Sequence, residues 1–222
     1  MKVKIIGILV CSMFCAAVHS QNLKNSVDSL SYALGMLFGM NIQGGGFQEI
    51  NAEIFGQTAQ KVIQNEALIM TPEQANMFVN TQYQKIQMLK YEKNLNDGRA
   101  FLNNNKNAPG VVTLPSGLQY KVVTMGAGAK PEATDKVTVH YQGTLLNGTV
   151  FDSSSQRNQP MEFPVNGVIS GWTEALQLMP VGSKWILYIP SELAYGENPP
   201  RGGTIEPNMA LIFEVELISI NN

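Results

Sequence analysis

The residues best suited to chemistry fall between Val137 and Tyr195: Tyr141, Phe151, Asp152, Arg157, Trp172 and Tyr195. Together they offer aromatic walls, one acid and one base, and no obvious nucleophile. That set suits a concave apolar pocket with a few orienting polar groups. A hydrolase would need a nucleophile and a base. Beyond the N-terminal segment the chain has no Cys and only His140, which no Ser-containing elbow accompanies. No His or carboxylate pair has the spacing of metal ligands, so neither a metal nor a cofactor is expected.

The elements that must position these groups are readable from the pattern. VTVHY (residues 137–141) alternates, placing Val137, Val139 and Tyr141 on one face and Thr138 and His140 on the other. His140 therefore reads as structural. Asn147-Gly148 is a strong hairpin signal and returns the chain into Thr149-Val150-Phe151, which brings Tyr141 and Phe151 to one neighbourhood. Asn147-Gly148-Thr149 also fits a glycosylation sequon, but the turn explains it better. A polar loop carrying Arg157 follows Asp152. Residues 171–176 predict a short helix, residues 184–190 a strand, and residues 210–218 a last strand with Leu211, Phe213, Val215 and Leu217 on one side. Five or so antiparallel strands wrapped on one short helix make an α+β roll.

From about Gly117 to Ile220 the chain resembles the FKBP-type peptidyl-prolyl isomerase domain. The resemblance rests on SGLQYKVV, VTVHYQGTLLNGTVFDSS, VISGWTEAL, MPVGSKWILYIPSELAYG and ALIFEVELISI, in that order. It implies a pocket with Trp172 as floor and Tyr141, Phe163, Val168, Ile169 and Phe213 as walls. It also implies polar contacts from Asp152, the Tyr195 hydroxyl and the Ile169 backbone N–H, with Phe151 and Ile205 as further lining. Arg157 matches a basic residue that pairs with the aspartate. Met161 stands where familiar members carry an aromatic residue, and so offers a softer wall. Glu206-Pro207 stands where a Pro-Pro pair is common, and the rim segment 197–206 has no histidine. The implied activity is isomerisation of X-Pro bonds in unfolded or nascent exported proteins, with rapamycin-type macrolides as inhibitors. A holdase that binds such segments with little catalysis is the alternative.

Residues 21–110 read as helical. SVDSLSYALGMLFGMNIQ begins with Ser26 and Asp28 near a cap and carries Leu30, Leu34, Leu37 and Phe38 at helical spacing. Gly35 and Gly39, four apart, permit close approach of another helix. A second helix starts at Asn51. Thr71-Pro72-Glu73-Gln74 forms a capping box opening a third, which no proline interrupts as far as about Asn105, although Gly98 weakens it. Its apolar residues are too few for a continuous core stripe, and it reads as a solvated arm. SYALG and GRAFLNNNKNAPGVVTLPSGLQY are similar to the macrophage-infectivity-potentiator branch of bacterial FKBPs. That resemblance implies an all-α dimerisation domain over residues 21–110, a homodimer, and an isomerase domain over residues 111–222.

MKVKIIGILVCSMFCAAVHSQ has Lys2 and Lys4 ahead of a short apolar run, the pattern of a cleaved signal peptide over residues 1–20. Both cysteines, Cys11 and Cys15, lie within it. Neither follows a small residue, which argues against lipidation. Without Lys2 and Lys4 the 15 basic residues fall to 13 against 17 acidic, a net charge of −4 that gives nucleic acid nothing to bind. A periplasmic or otherwise exported protein is expected.

Overall fold

The computed structural model describes residues 23–221; the signal-peptide reading and both cysteines lie outside them. Contacts group the chain into two compact units that divide between Gln60 and Lys61.

In the first unit, helix α1 spans Ser26–Gly44. Its N-cap is Asn25, whose side chain accepts the Asp28 N–H at 2.9 Å, rather than the Ser or Asp that the pattern offers. Asn caps as well as either, because its oxygen reaches the same orphan donor. Helix α2 follows over Ala52–Ile63, with the Asn51 side chain accepting the Ile54 N–H at 3.0 Å. Phe38 and Phe55 meet edge to face, 6.1 Å between ring centres. Neither helix buries a single residue: Leu30, Leu34, Leu37 and Phe38 all stand exposed, and the space over Gly35 and Gly39 is open.

The second unit takes in the last residues of α2 and then α3, Pro72–Asn105, opened by the Thr71/Gln74 capping box. Its 34 residues reach roughly 50 Å. The reading of α3 as a solvated arm holds for one half only. Tyr91, Asn94, Leu95, Gly98, Phe101, Leu102 and Asn105 recur at helical spacing and are buried or half-buried, whereas their neighbours are exposed. This face lies on the β-domain. Phe101 sits 5.9 Å from Tyr188, and the buried Gln119 amide bonds Leu102 O at 2.8 Å and Asn105 Nδ2 at 2.9 Å. Gly98, which weakens the helix on paper, marks the closest approach: a Cβ there would lie 3.0 Å from the Ala210 Cβ.

Seven strands, not five, follow: β1 Val111–Thr113, β2 Gln119–Thr124, β3 Lys136–Leu145, β4 Val150–Ser153, β5 Met161–Pro164, β6 Lys184–Ile189 and β7 Leu211–Asn221. The sheet is antiparallel in the order β1-β2-β6-β7-β3-β4. β5 pairs with residues 136–139 of β3, and β4 with residues 142–144. Helix α4, Ser170–Leu176, packs Trp172, Ala175 and Leu176 into the core. Along β7, Leu211, Phe213, Val215 and Leu217 are buried while Glu214 and Glu216 point to solvent, as the alternation requires.

Candidate functional site

The central strands and α4 create one cavity. β3 contributes Tyr141 and β7 contributes Phe213, both inward by alternation; α4 raises Trp172 from beneath. The Asn147-Gly148 hairpin forms, but not as a two-residue turn with both residues left-handed. Only Gly148 has positive φ (84°), and its N–H bonds Leu145 O at 2.9 Å, which describes an ordinary turn closed by a glycine bulge. Farther along, Gly143 faces Asp152 and Thr144 faces Val150. Phe151 is left without an opposite residue, and this bulge turns its ring towards the cavity.

The cavity measures about 410 Å³ and is lined by Tyr141, Phe151, Asp152, Phe163, Gly167, Val168, Ile169, Trp172, Tyr195 and Phe213. That volume lies within the usual range of small-ligand sites, roughly 300–1,000 Å³. Trp172 is the hub of the aromatic cage. It meets Tyr141 at 5.3 Å, Phe163 at 5.9 Å and Phe213 at 5.3 Å, each pair within 10° of perpendicular. Such edge-to-face pairs hold ring orientation, since the positive edge of one faces the negative face of the other.

One edge is polar. Tyr141 donates its hydroxyl proton to Asp152 Oδ2 at 2.5 Å and accepts from Arg157 Nη2 at 3.2 Å. Arg157 Nη1 donates to Asp152 Oδ1 at 2.7 Å. The single Tyr141 proton is thus committed. The Tyr195 hydroxyl and the Ile169 N–H, by contrast, have no partner among the described residues.

Burial works to raise the Asp152 carboxyl, but hydrogen bonds from Tyr141 and Arg157 and the Arg157 charge outweigh it and leave it below the ordinary carboxylate value. Tyr141 is raised by burial and by its bond to Asp152. Tyr195 is raised by burial and by the nearby Asp152 charge. The signs agree: at neutral pH the site holds one carboxylate and two neutral phenols. A carboxyl with a depressed folded-state pKa adds stability above its unfolded value and loses it as pH falls through the folded value. The unfolding free energy is therefore expected to show no step from these three groups between about pH 5.5 and about pH 9, with acid loss only below about pH 4. A step inside that window that disappears in Asp152→Asn would contradict this.

Of the twelve residues singled out in the sequence, nine line the cavity. Arg157 stands at its edge and reaches it only through Asp152 and Tyr141. Met161 and Ile205 do not line it; each is half-buried against the hydrophobic core. Met161 lies opposite Val139 in the β3–β5 ladder, on the same face as Phe163 opposite Val137, so the two differ in place along the strand rather than in side.

Three contributors had no such signal. Gly167 lines the cavity. Ser154, fully buried, accepts the Tyr141 N–H at 2.7 Å, donates its own N–H to Tyr141 O at 3.0 Å, and stands 3.2 Å from His140 Nδ1. Gly143 underlies Phe151 and Phe213, where a Cβ would lie 2.5 Å and 2.8 Å from their rings.

Comparison with known proteins bears on both parts of the chain. A family profile described as FKBP-type peptidyl-prolyl cis-trans isomerase matches residues 127–218. A second, described as the domain amino terminal to FKBP-type peptidyl-prolyl isomerase, matches residues 27–122. The outer membrane protein MIP of Legionella longbeachae is 45% identical over 222 residues, covering 96% of this chain and 93% of that one. The FKBP-type 22 kDa peptidyl-prolyl cis-trans isomerase of Escherichia coli is 40% identical, over 86% of this chain and 93% of its own. The crystal structure of FkpA from Escherichia coli matches with a TM-score of 0.73 at 32% identity, over 90% of this chain and 99% of that chain.

Proposed function

The chain belongs to the FKBP-type peptidyl-prolyl cis-trans isomerases of the Mip and FkpA kind, and from that premise we propose that it turns X-Pro bonds of exported, folding proteins within the Trp172 cavity. The observation that carries this reading is an open apolar hollow over an indole, edged by one ionised carboxylate and two unused donors.

The peptide bond resists rotation by roughly 18–20 kcal/mol because nitrogen and carbonyl share electrons. Twisting ends that sharing and leaves a ketone-like carbonyl beside a basic nitrogen, a less polar arrangement than the planar amide. An apolar lining therefore favours the twisted form over either planar one, and only such preferential binding accelerates the reaction. Trp172 and its surrounding rings would grip the proline. The Ile169 N–H and the Tyr195 hydroxyl would hold flanking carbonyls of the substrate. Asp152, fixed by Tyr141 and Arg157, would place its negative charge beside the twisted carbonyl carbon.

Asp152→Ala is expected to lower kcat/KM about tenfold in a protease-coupled prolyl-peptide assay on residues 21–222. Hydrogen bonds to a charged group contribute about 1.5–3 kcal/mol, and a side chain 42% exposed belongs at the lower end, where about 1.4 kcal/mol is tenfold. A rapamycin-type macrolide should compete for the same cavity. No acceleration by the wild type and no inhibition would leave the holdase reading in front.

The exposed apolar residues of α1 and α2, with the open space over Gly35 and Gly39, support a homodimer formed through residues 21–110. Two linked cavities would raise affinity for a client through effective concentration, the basis for an accompanying chaperone role. Light scattering should give twice the chain mass for residues 21–222 and a single mass for residues 111–222. A monomeric longer form would remove the dimer. Export, in line with the relative named as an outer membrane protein, is part of the same proposal.

A further inference from the structure

The segment from Gly196 to Met209 leaves the cavity edge at Tyr195 and returns to β7 at Leu211. Within it the chain is stitched to itself at the base, where the Asn208 N–H donates to Gly196 O at 2.8 Å. Its returning limb, residues 206–209, is half-buried, whereas Arg201–Thr204 at its tip are exposed. What covers the returning limb is α3. Lys90 Nζ lies 2.6 Å from Glu206 Oε1, Asn94 Nδ2 donates to Pro207 O at 3.0 Å, and Asn208 Nδ2 reaches Tyr91 O at 3.5 Å. Gly98 completes the seat by letting the helix lie against Ala210. Lys90, Tyr91, Asn94 and Gly98 share one face of α3.

We propose that the second half of α3 is a positioning element of the isomerase. Through Asn94, assisted by Lys90, it holds the rim segment 196–209 in register and so sets how tightly a peptide binds. The connection is physically continuous: α3 holds Pro207 and Asn208, Asn208 holds Gly196, and Gly196 follows Tyr195 in the chain. Asn94 matters more than Lys90. Its bond is to a partly buried carbonyl that loses its partner on truncation, whereas the ion pair is solvent-exposed and weak in water. Glu206, standing where a Pro-Pro pair is common, thereby acquires a use, because its carboxylate pairs with the Lys90 ammonium. The inference rests on the Trp172 cavity being the substrate site.

The test uses the whole exported chain. Asn94→Ala should raise KM for a prolyl tetrapeptide three- to tenfold while kcat stays within twofold. Amide exchange at Asn208 should quicken, and the melting temperature should hold within a few degrees. Lys90→Glu, on the exposed side, should raise KM about threefold by setting two carboxylates together. The exchange Lys90→Glu/Glu206→Lys should return KM to within twofold of the wild type. An unchanged KM, unchanged exchange at Asn208, or a KM that rises only in step with loss of folded protein overturns the inference and leaves the isomerase reading standing. Failure of the charge exchange to restore KM overturns the part given to Lys90. Wild-type protein without turnover overturns the isomerase reading and this inference with it.

Discussion

Trp172→Leu is expected to yield a folded protein whose kcat/KM for prolyl peptides falls at least tenfold and whose stability drops by about 2–4 kcal/mol. The indole is 4% exposed, yet it forms the cavity floor and is the ring that Tyr141, Phe163 and Phe213 all meet edge to face. Each such pair is worth about 0.5–1.5 kcal/mol beyond its buried area, so losing three accounts for most of the stability change. Leucine keeps apolar bulk under the cavity but cannot orient three rings. Activity should therefore suffer more than the loss of folded protein explains. Urea unfolding alongside steady-state kinetics separates the two effects, and a variant with wild-type kcat/KM would remove the indole from the account of catalysis.

Gly143→Ala should cost about 1–3 kcal/mol and one to two powers of ten in kcat/KM. Alanine in a strand interior ordinarily improves on glycine by about 0.5–1 kcal/mol, so the sign is decided by space. The added methyl would sit 2.5 Å from Phe151 Cζ and 2.8 Å from Phe213 Cε1, distances that side chains do not tolerate. Phe213 is buried and cannot withdraw, so Phe151 must swing away and break the edge-to-face pair at 5.4 Å that closes one side of the cavity. A Gly143→Ala protein as stable and as active as the wild type would show that both rings yield without cost, and would remove Gly143 from the site.

These two positions mark different depths of legibility. Trp172 stands in VISGWTEAL, where local helix pattern and family resemblance converge on the same ring. Gly143 stands in a strand whose alternation reads correctly without it. Its importance depends on two rings from β4 and β7 arriving at one point, which no window along the chain contains.

By itself the sequence determined the elements whose signals repeat or close locally. The capping box at Thr71/Gln74 opens a helix because two side chains satisfy two orphan backbone donors within four residues. The alternations in β3 and β7 run long enough to settle which face is buried, and so turn Tyr141 and Phe213 inward; the other seven of the nine expected lining residues followed from the family resemblance. Tertiary structure alone decided what depends on distance through space. A strand of four residues has too few alternations to be counted, so β5 became evident only through its pairing with β3. Met161 and Ile205 fit the motif yet pack against the core outside the cavity lining, a placement that depends on neighbours through space. The docking face of α3 carries Asn94, Gly98 and Asn105 among its apolar residues, and no hydropathy pattern registers it. It is held by hydrogen bonds and close approach to residues about a hundred positions away, and such partners acquire meaning only once the chain has folded.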